Sequence, residues 1–118
     1  MPADGKGPEA TRVADLIGRT PLLSLGRIAT HVAPGVRLFA KAEWLNPGGS
    51  VKDRAALGMI RAAQKAGLTR ERTLLDATSG NTGIAIAMLA ASEGYRATLC
   101  VPTNLSSDRR QTLEAYGA

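Results

Sequence analysis

A chain of 118 residues, 44% of them hydrophobic, has the size of one small globular domain, and its four aromatic residues (Phe39, Trp44, Tyr95, Tyr116) leave the core to aliphatic side chains and alanine. The formal charge of +5 is spread from Lys6 to Arg110 without an aromatic ladder, which argues against a nucleic-acid partner. The single cysteine, Cys100, excludes an intrachain disulfide and a cysteine zinc cluster, and no window reaches membrane-spanning length, so the expectation is a cytoplasmic protein with no metal and no membrane partner.

Residues 1–10 are rich in Pro, Gly and charge and are expected to form a disordered tail ahead of a folded unit over residues 11–118. Residues 11–17 predict a short helix ended by Gly18, and Thr20-Pro21 a turn into an extended run over 22–25. His31 has no carboxylate pattern near it and reads as a surface residue. Residues 36–43 alternate as a strand does, and Trp44 and Leu45 are placed to cover the loop that follows.

That loop, Asn46-Pro47-Gly48-Gly49, opens into a helix. Ser50 and Asp53 have the S-x-x-D form of a capping box, which predicts a start at Val51 and a run to about Ala66, ended by Gly67. Lys52 then stands in the first turn, where the macrodipole disfavours a cation. Ala55, Ala56, Met59 and Ile60 lie three, four, seven and eight residues on, so Lys52 is expected on the apolar face. A desolvated neutral amine there suits Schiff-base chemistry with an aldehyde or ketone. A lysine that snorkels to water is the plainer reading, and the pattern leaves both open.

Residues 73–77 predict a strand, 78–83 a polar glycine-containing turn, and 84–91 a helix that is apolar nearly all round and ends at Gly94. A strand over 96–101, a cap at Ser106 or Ser107 and a helix over 108–116 complete the chain. Strands alternating with helices mean βαβ units on a parallel sheet, an α/β class whose ligand site lies beyond the carboxyl ends of the strands. The turn there combines helix N-terminal amides with Thr78, Ser79, Asn81 and Thr82, which suits a carboxylate or phosphate. Capping by Ser79 or Asn81 is the alternative, although one such residue would suffice for it. The G-x-G-x-x-G fingerprint and the P-loop spacing are both absent.

Four stretches together carry a resemblance: Ile17-Gly18-Arg19-Thr20-Pro21-Leu22, Asn46-Pro47-Gly48-Gly49-Ser50-Val51-Lys52-Asp53-Arg54, Ala77-Thr78-Ser79-Gly80-Asn81-Thr82-Gly83-Ile84-Ala85, and Arg109-Arg110 with Ala115-Tyr116-Gly117-Ala118. The chain resembles the fold-type II pyridoxal-phosphate enzymes, with a particular likeness to cysteine synthases of the B type. The resemblance implies a three-layer αβα fold with a parallel sheet and pyridoxal 5'-phosphate as cofactor. It implies that Lys52 binds the cofactor aldehyde as a Schiff base and moves the substrate α-proton, and that Asn81 hydrogen-bonds the cofactor's ring oxygen. Thr78, Ser79, Gly80 and Thr82 are then the substrate carboxylate's holders.

The implied reaction is β-replacement, making L-cysteine from O-acetylserine or a similarly activated serine and a sulfur donor, in a homodimer. A cystathionine β-synthase or threonine dehydratase type of enzyme is one alternative, and a non-catalytic interaction fragment is another. Family members are much longer, and neither their glycine- and threonine-rich phosphate loop nor the serine facing the pyridine nitrogen has a counterpart in these 118 residues. The expectation is therefore the N-terminal portion of an enzyme, inactive alone, in which so short a chain hardly covers its apolar helix.

Overall fold

The computed structural model describes residues 11–32 and 34–118, so the tail expected over 1–10 lies outside the described residues. Its frame is one βαβ unit. β3 (Thr73–Ala77) and β4 (Arg96–Cys100) pair in parallel from Thr73 opposite Arg96 to Ala77 opposite Cys100. α4 (Asn81–Glu93) makes the crossover and ends on Gly94, whose φ of 77° is the left-handed conformation that glycine adopts without penalty.

An apolar helix needs cover on most of its circumference. α4 has it: α3 (Lys52–Lys65), α1 (Val13–Leu16), α5 (Ser107–Ala115) and both strands pack around it, and Ala85, Ile86, Ala87, Met88, Leu89 and Ala90 are buried. The expectation that the chain could hardly cover this helix is overturned. Alanine makes this economical, because Ala56 and Ile60 of α3 meet Ala85, Ile86 and Leu89 of α4 with small side chains that let the helices approach closely. The aliphatic, alanine-rich core that the composition implied is this seam.

The relative direction of α3 and α4 decides where their ends fall. Near the last turn of α3, the Gln64 amide donates to the Glu93 carboxylate and the Tyr95 hydroxyl, both at 3.1 Å, at the far end of α4. The helices therefore run in the same direction, and their N-termini lie at the same end of the layer. The carboxyl end of β3 leads directly into α4, so that end is also the carboxyl end of the parallel pair.

A second sheet was not expected. β1 (Leu22–Ser24) and β2 (Phe39–Lys41) pair antiparallel, Leu22 opposite Lys41 and Ser24 opposite Phe39, with the single-turn α2 (Gly26–Ala29) between them. The strand predicted over 36–43 shrinks to three residues because its partner offers only three, and because Glu43–Leu45 winds into a 3₁₀ turn. Trp44 and Leu45 do not cover the following loop; they stand 60% and 58% exposed. Leu22, Val36 and Phe39 are also exposed, so most of the apolar surface left open belongs to this hairpin-like part. Leu16 of α1, Val51 just ahead of α3, Met59 of α3 and Leu75 of β3 add to it, and among the described residues none of the exposed large hydrophobics lies on α4.

Candidate functional site

α3 begins at Lys52, one residue later than the sequence predicted, and its first turn is built differently. The Ser50 hydroxyl accepts the Lys52 N–H at 3.1 Å, but Asp53 does not complete the capping box. Its carboxylate turns back into the loop and accepts the Gly48 N–H at 2.6 Å. This draws Asp53 inward, so the buried stripe of α3 is Asp53, Ala56 and Ile60, and Lys52 faces solvent. The expected apolar-facing lysine is thus replaced by an exposed amine at the helix start.

The loop ahead of Lys52 is held around Glu43, a residue that no motif singled out, by Gly18, Thr20, Asn46 and Arg54 from the stretches on either side. Glu43 accepts four hydrogen bonds: from the Thr20 hydroxyl at 2.7 Å, from Arg54 Nη2 at 2.8 Å and Nε at 2.9 Å, and from the Asn46 amide at 2.8 Å. Asn46 Oδ1 in turn accepts the Gly18 N–H at 2.9 Å, and Arg54 also donates to the Gly18 carbonyl at 3.1 Å. The Arg54 guanidinium, helped by Thr20 and then by Asn46, lowers the Glu43 pKa to about 2 against the opposing effect of burial. Asp53 shifts the other way, raised by burial despite its bond to Gly48.

The second turn rises from the end of β3. The Thr78 N–H still reaches the Cys100 carbonyl at 3.0 Å, extending the ladder by one bond before the chain turns into α4. The Thr78 hydroxyl oxygen then accepts the Gly83 N–H at 3.1 Å and, more loosely, the Gly80 N–H at 3.4 Å. Thr78 is therefore the residue that caps α4, rather than Ser79 or Asn81. With its oxygen accepting, its O–H remains free to donate to an anion. Arg109, from the first turn of α5, donates to the Ser79 carbonyl at 2.7 Å and braces the turn from the outside. A polar depression of about 460 Å³ lies beside it, lined by Ser79, Pro102, Asn104, Leu105, Ser106 and Arg109.

The structure thus places Lys52 and Asn81, each the first residue of its helix and each exposed, at one end of two parallel packed helices. Thr78, Ser79, Gly80 and Thr82 form the turn beside Asn81. A solvent-facing amine, an amide and several hydroxyls at helix N-termini are a donor set that fits an aldehyde cofactor bearing anionic groups.

The profile of the pyridoxal-phosphate dependent enzyme family matches residues 13–118. The chain belongs to this family. It is 52% identical over 103 residues to cysteine synthase B of Salmonella typhimurium, a match that covers 86% of this chain and 33% of the relative. Among solved structures, a hydrogen sulfide-producing enzyme from Fusobacterium nucleatum superposes with a TM-score of 0.83 at 43% identity, covering 94% of this chain and 36% of that one. An O-acetylserine dependent cystathionine beta-synthase from Helicobacter pylori superposes with a TM-score of 0.83 at 37% identity, covering 93% and 36%. The chain spans about a third of the length of each of these pyridoxal-phosphate family relatives. The likeness places it in the fold-type II α/β class.

Two outcomes follow from this geometry. Because Thr78 carries the cap, Thr78→Ala should lower stability by about 1 kcal/mol, whereas Asn81→Ala should leave the melting temperature within a degree or two; thermal unfolding by circular dichroism compares them. Because the folded-state pKa of Glu43 is depressed, its contribution to stability is complete above pH 4.5 and is lost as pH falls toward 2. Melting temperatures of the wild type should fall across that window, and Glu43→Gln should remove that part of the fall.

Proposed function

We propose that residues 11–118 form the N-terminal portion of a pyridoxal-phosphate-dependent enzyme that makes L-cysteine by β-replacement, taking O-acetylserine or a similarly activated serine and a sulfur donor. The observation that carries this reading is the placement of Lys52 and Asn81 at the same end of α3 and α4, with the turn over 78–82 between the strand ends and the helix. The likeness to cysteine synthase B of Salmonella typhimurium supports it.

Bound pyridoxal phosphate supplies an aldehyde for a lysine amine and an electron sink for the charge left when an α-proton departs. The residues of the chain do the rest. Lys52 Nζ would hold the aldehyde carbon and, when released from it, take and return the substrate α-proton; the exposed stem gives the amine the freedom to do both. The Asn81 amide would hold the ring oxygen. The free Thr78 O–H, the Ser79 and Thr82 hydroxyls and the Gly80 backbone would hold the substrate carboxylate, in a field made favourable by the N-terminus of α4. Arg109 keeps the turn in place through the Ser79 carbonyl.

We extend the reading to a cytoplasmic homodimer. An exposed, unpaired Cys100 suits a reducing compartment, no helix among the described residues is long and apolar enough to cross a membrane, and the exposed Leu22, Phe39 and Trp44 supply apolar surface for further contacts.

A second reading, formation of cystathionine from the same activated serine, is favoured by the superposition on the Helicobacter pylori enzyme. Supplying sulfide or a longer thiol to the complete protein separates the two by product. For either, borohydride reduction with pyridoxal phosphate followed by peptide mapping should place the label on Lys52; label on Lys41 or Lys65 in its place would refute the assignment. Residues 1–118 alone should show no saturable turnover in a cysteine-forming assay, and turnover abolished by Lys52→Ala would overturn that expectation.

A further inference from the structure

Asp53 is fully buried, at 0% exposure, next to the exposed Lys52. One carboxylate oxygen, Oδ2, accepts the Gly48 N–H at 2.6 Å. The other, Oδ1, is buried without a hydrogen-bond partner among the described residues. A first-turn aspartate can serve stability more simply, by capping the amides of its own helix or by facing water. A buried acid with one oxygen unsatisfied is instead a cost in stability. Such local costs gather where a backbone must be held for function.

What the carboxylate holds is the turn that delivers Lys52. Gly49 is left-handed at φ 84° and its N–H returns to the Asn46 carbonyl at 2.8 Å, so the chain reverses there before entering α3. Gly48 sits against the carboxylate so closely that a Cβ at this position would run into Asp53 Oδ1. The glycine and the acid are therefore a matched pair. Neither flanking cation neutralises Asp53 in this arrangement: Lys52 faces solvent, and Arg54 is engaged by Glu43.

We propose that Asp53 is a positioning residue for Lys52: its buried carboxylate fixes the turn at Gly48 and Gly49 and so sets where the lysine amine emerges. The inference rests on the reading of Lys52 as the aldehyde-binding amine. It assigns to Asp53 no contact with cofactor or substrate, and its effect reaches the amine through the backbone of residues 48–52.

The test uses the complete protein and pyridoxal phosphate as the probe, with borohydride trapping and peptide mapping at each lysine. Asp53→Ala and Gly48→Ala should each raise the concentration that half-saturates labelling of Lys52 by about 10-fold or more, the scale of a lost hydrogen bond to a charged group, while labelling of Lys41 and Lys65 stays as in the wild type. Combining the two should do no more than either alone, because both break one bond. Asp53→Asn, which keeps an oxygen for the Gly48 N–H, should recover most of the loss. If Asp53→Ala does not fold, Gly48→Ala and Asp53→Asn decide the matter. Variants that melt earlier yet label Lys52 as the wild type does would overturn the inference and leave Asp53 a purely structural residue. A wild-type protein labelled at Lys41 or Lys65 instead would sink the Lys52 reading itself, and the two failures are distinguishable in one experiment.

Discussion

The carboxylate of Glu43 is the point on which the N-terminal half of the structure depends. An exposed ion pair is ordinarily worth little, because water screens it and two long side chains must be frozen to make it. Here the geometry is different: Arg54 meets Glu43 through two nitrogens, and the Thr20 hydroxyl and the Asn46 amide supply the remaining two donors, so the carboxylate's capacity to accept is filled. The residues it joins come from three separate stretches: the turn after α1, the 3₁₀ turn and the first turn of α3. The hairpin-like β1–β2 pair is thereby moored to the helical layer at the place where Lys52 leaves it. Of the three polar residues that are buried among the described residues, Thr20 and Asn46 belong to this one network, and Asp53 adjoins it.

The βαβ unit was legible because its signals are local. Period and glycine punctuation gave β3 with its observed limits, the buried α4 and the stop at Gly94. The clamp was not legible, since Glu43 meets Thr20 across 23 residues and Gly18 meets Asn46 across 28, and no nearby pattern announces such bonds. The antiparallel pairing of β1 with β2 was hidden for the same reason. Lys52 was found by its odd position but assigned to the wrong face. Helical spacing counts side chains as if each stood straight out, whereas the bond from Gly48 to Asp53 pulls the neighbouring acid inward and turns the buried stripe by one residue. In the second turn, capping was sought at Ser79 or Asn81, yet Thr78 at the strand end reaches forward to do it.

The two turns share one device. In each, a glycine N–H is bound by a side chain five residues away: Gly48 by Asp53, and Gly83 by Thr78. In each, that side chain occupies the space where the glycine's Cβ would be, Asp53 Oδ1 in one case and Thr78 Cγ2 in the other. The loops are closed from opposite directions, by a helix residue reaching back and by the residue just past a strand reaching forward. Both leave the first residue of a helix pointing outward with nothing of its own to cap.

The parallel packing of α3 and α4 also acts as a ruler. Gln64 and Glu93, which touch, are separated by the same number of positions as Lys52 and Asn81. The amine and the amide are therefore levelled against each other by counting back equal numbers of helical residues from a shared contact. Inserting one residue into either helix between contact and N-terminus would displace its leading side chain by about 1.5 Å and swing it through about 100° relative to the other. Substitutions along the seam can be absorbed by repacking, but a change in length cannot, so the spacing within each helix is under a tighter constraint than most of the side chains it carries.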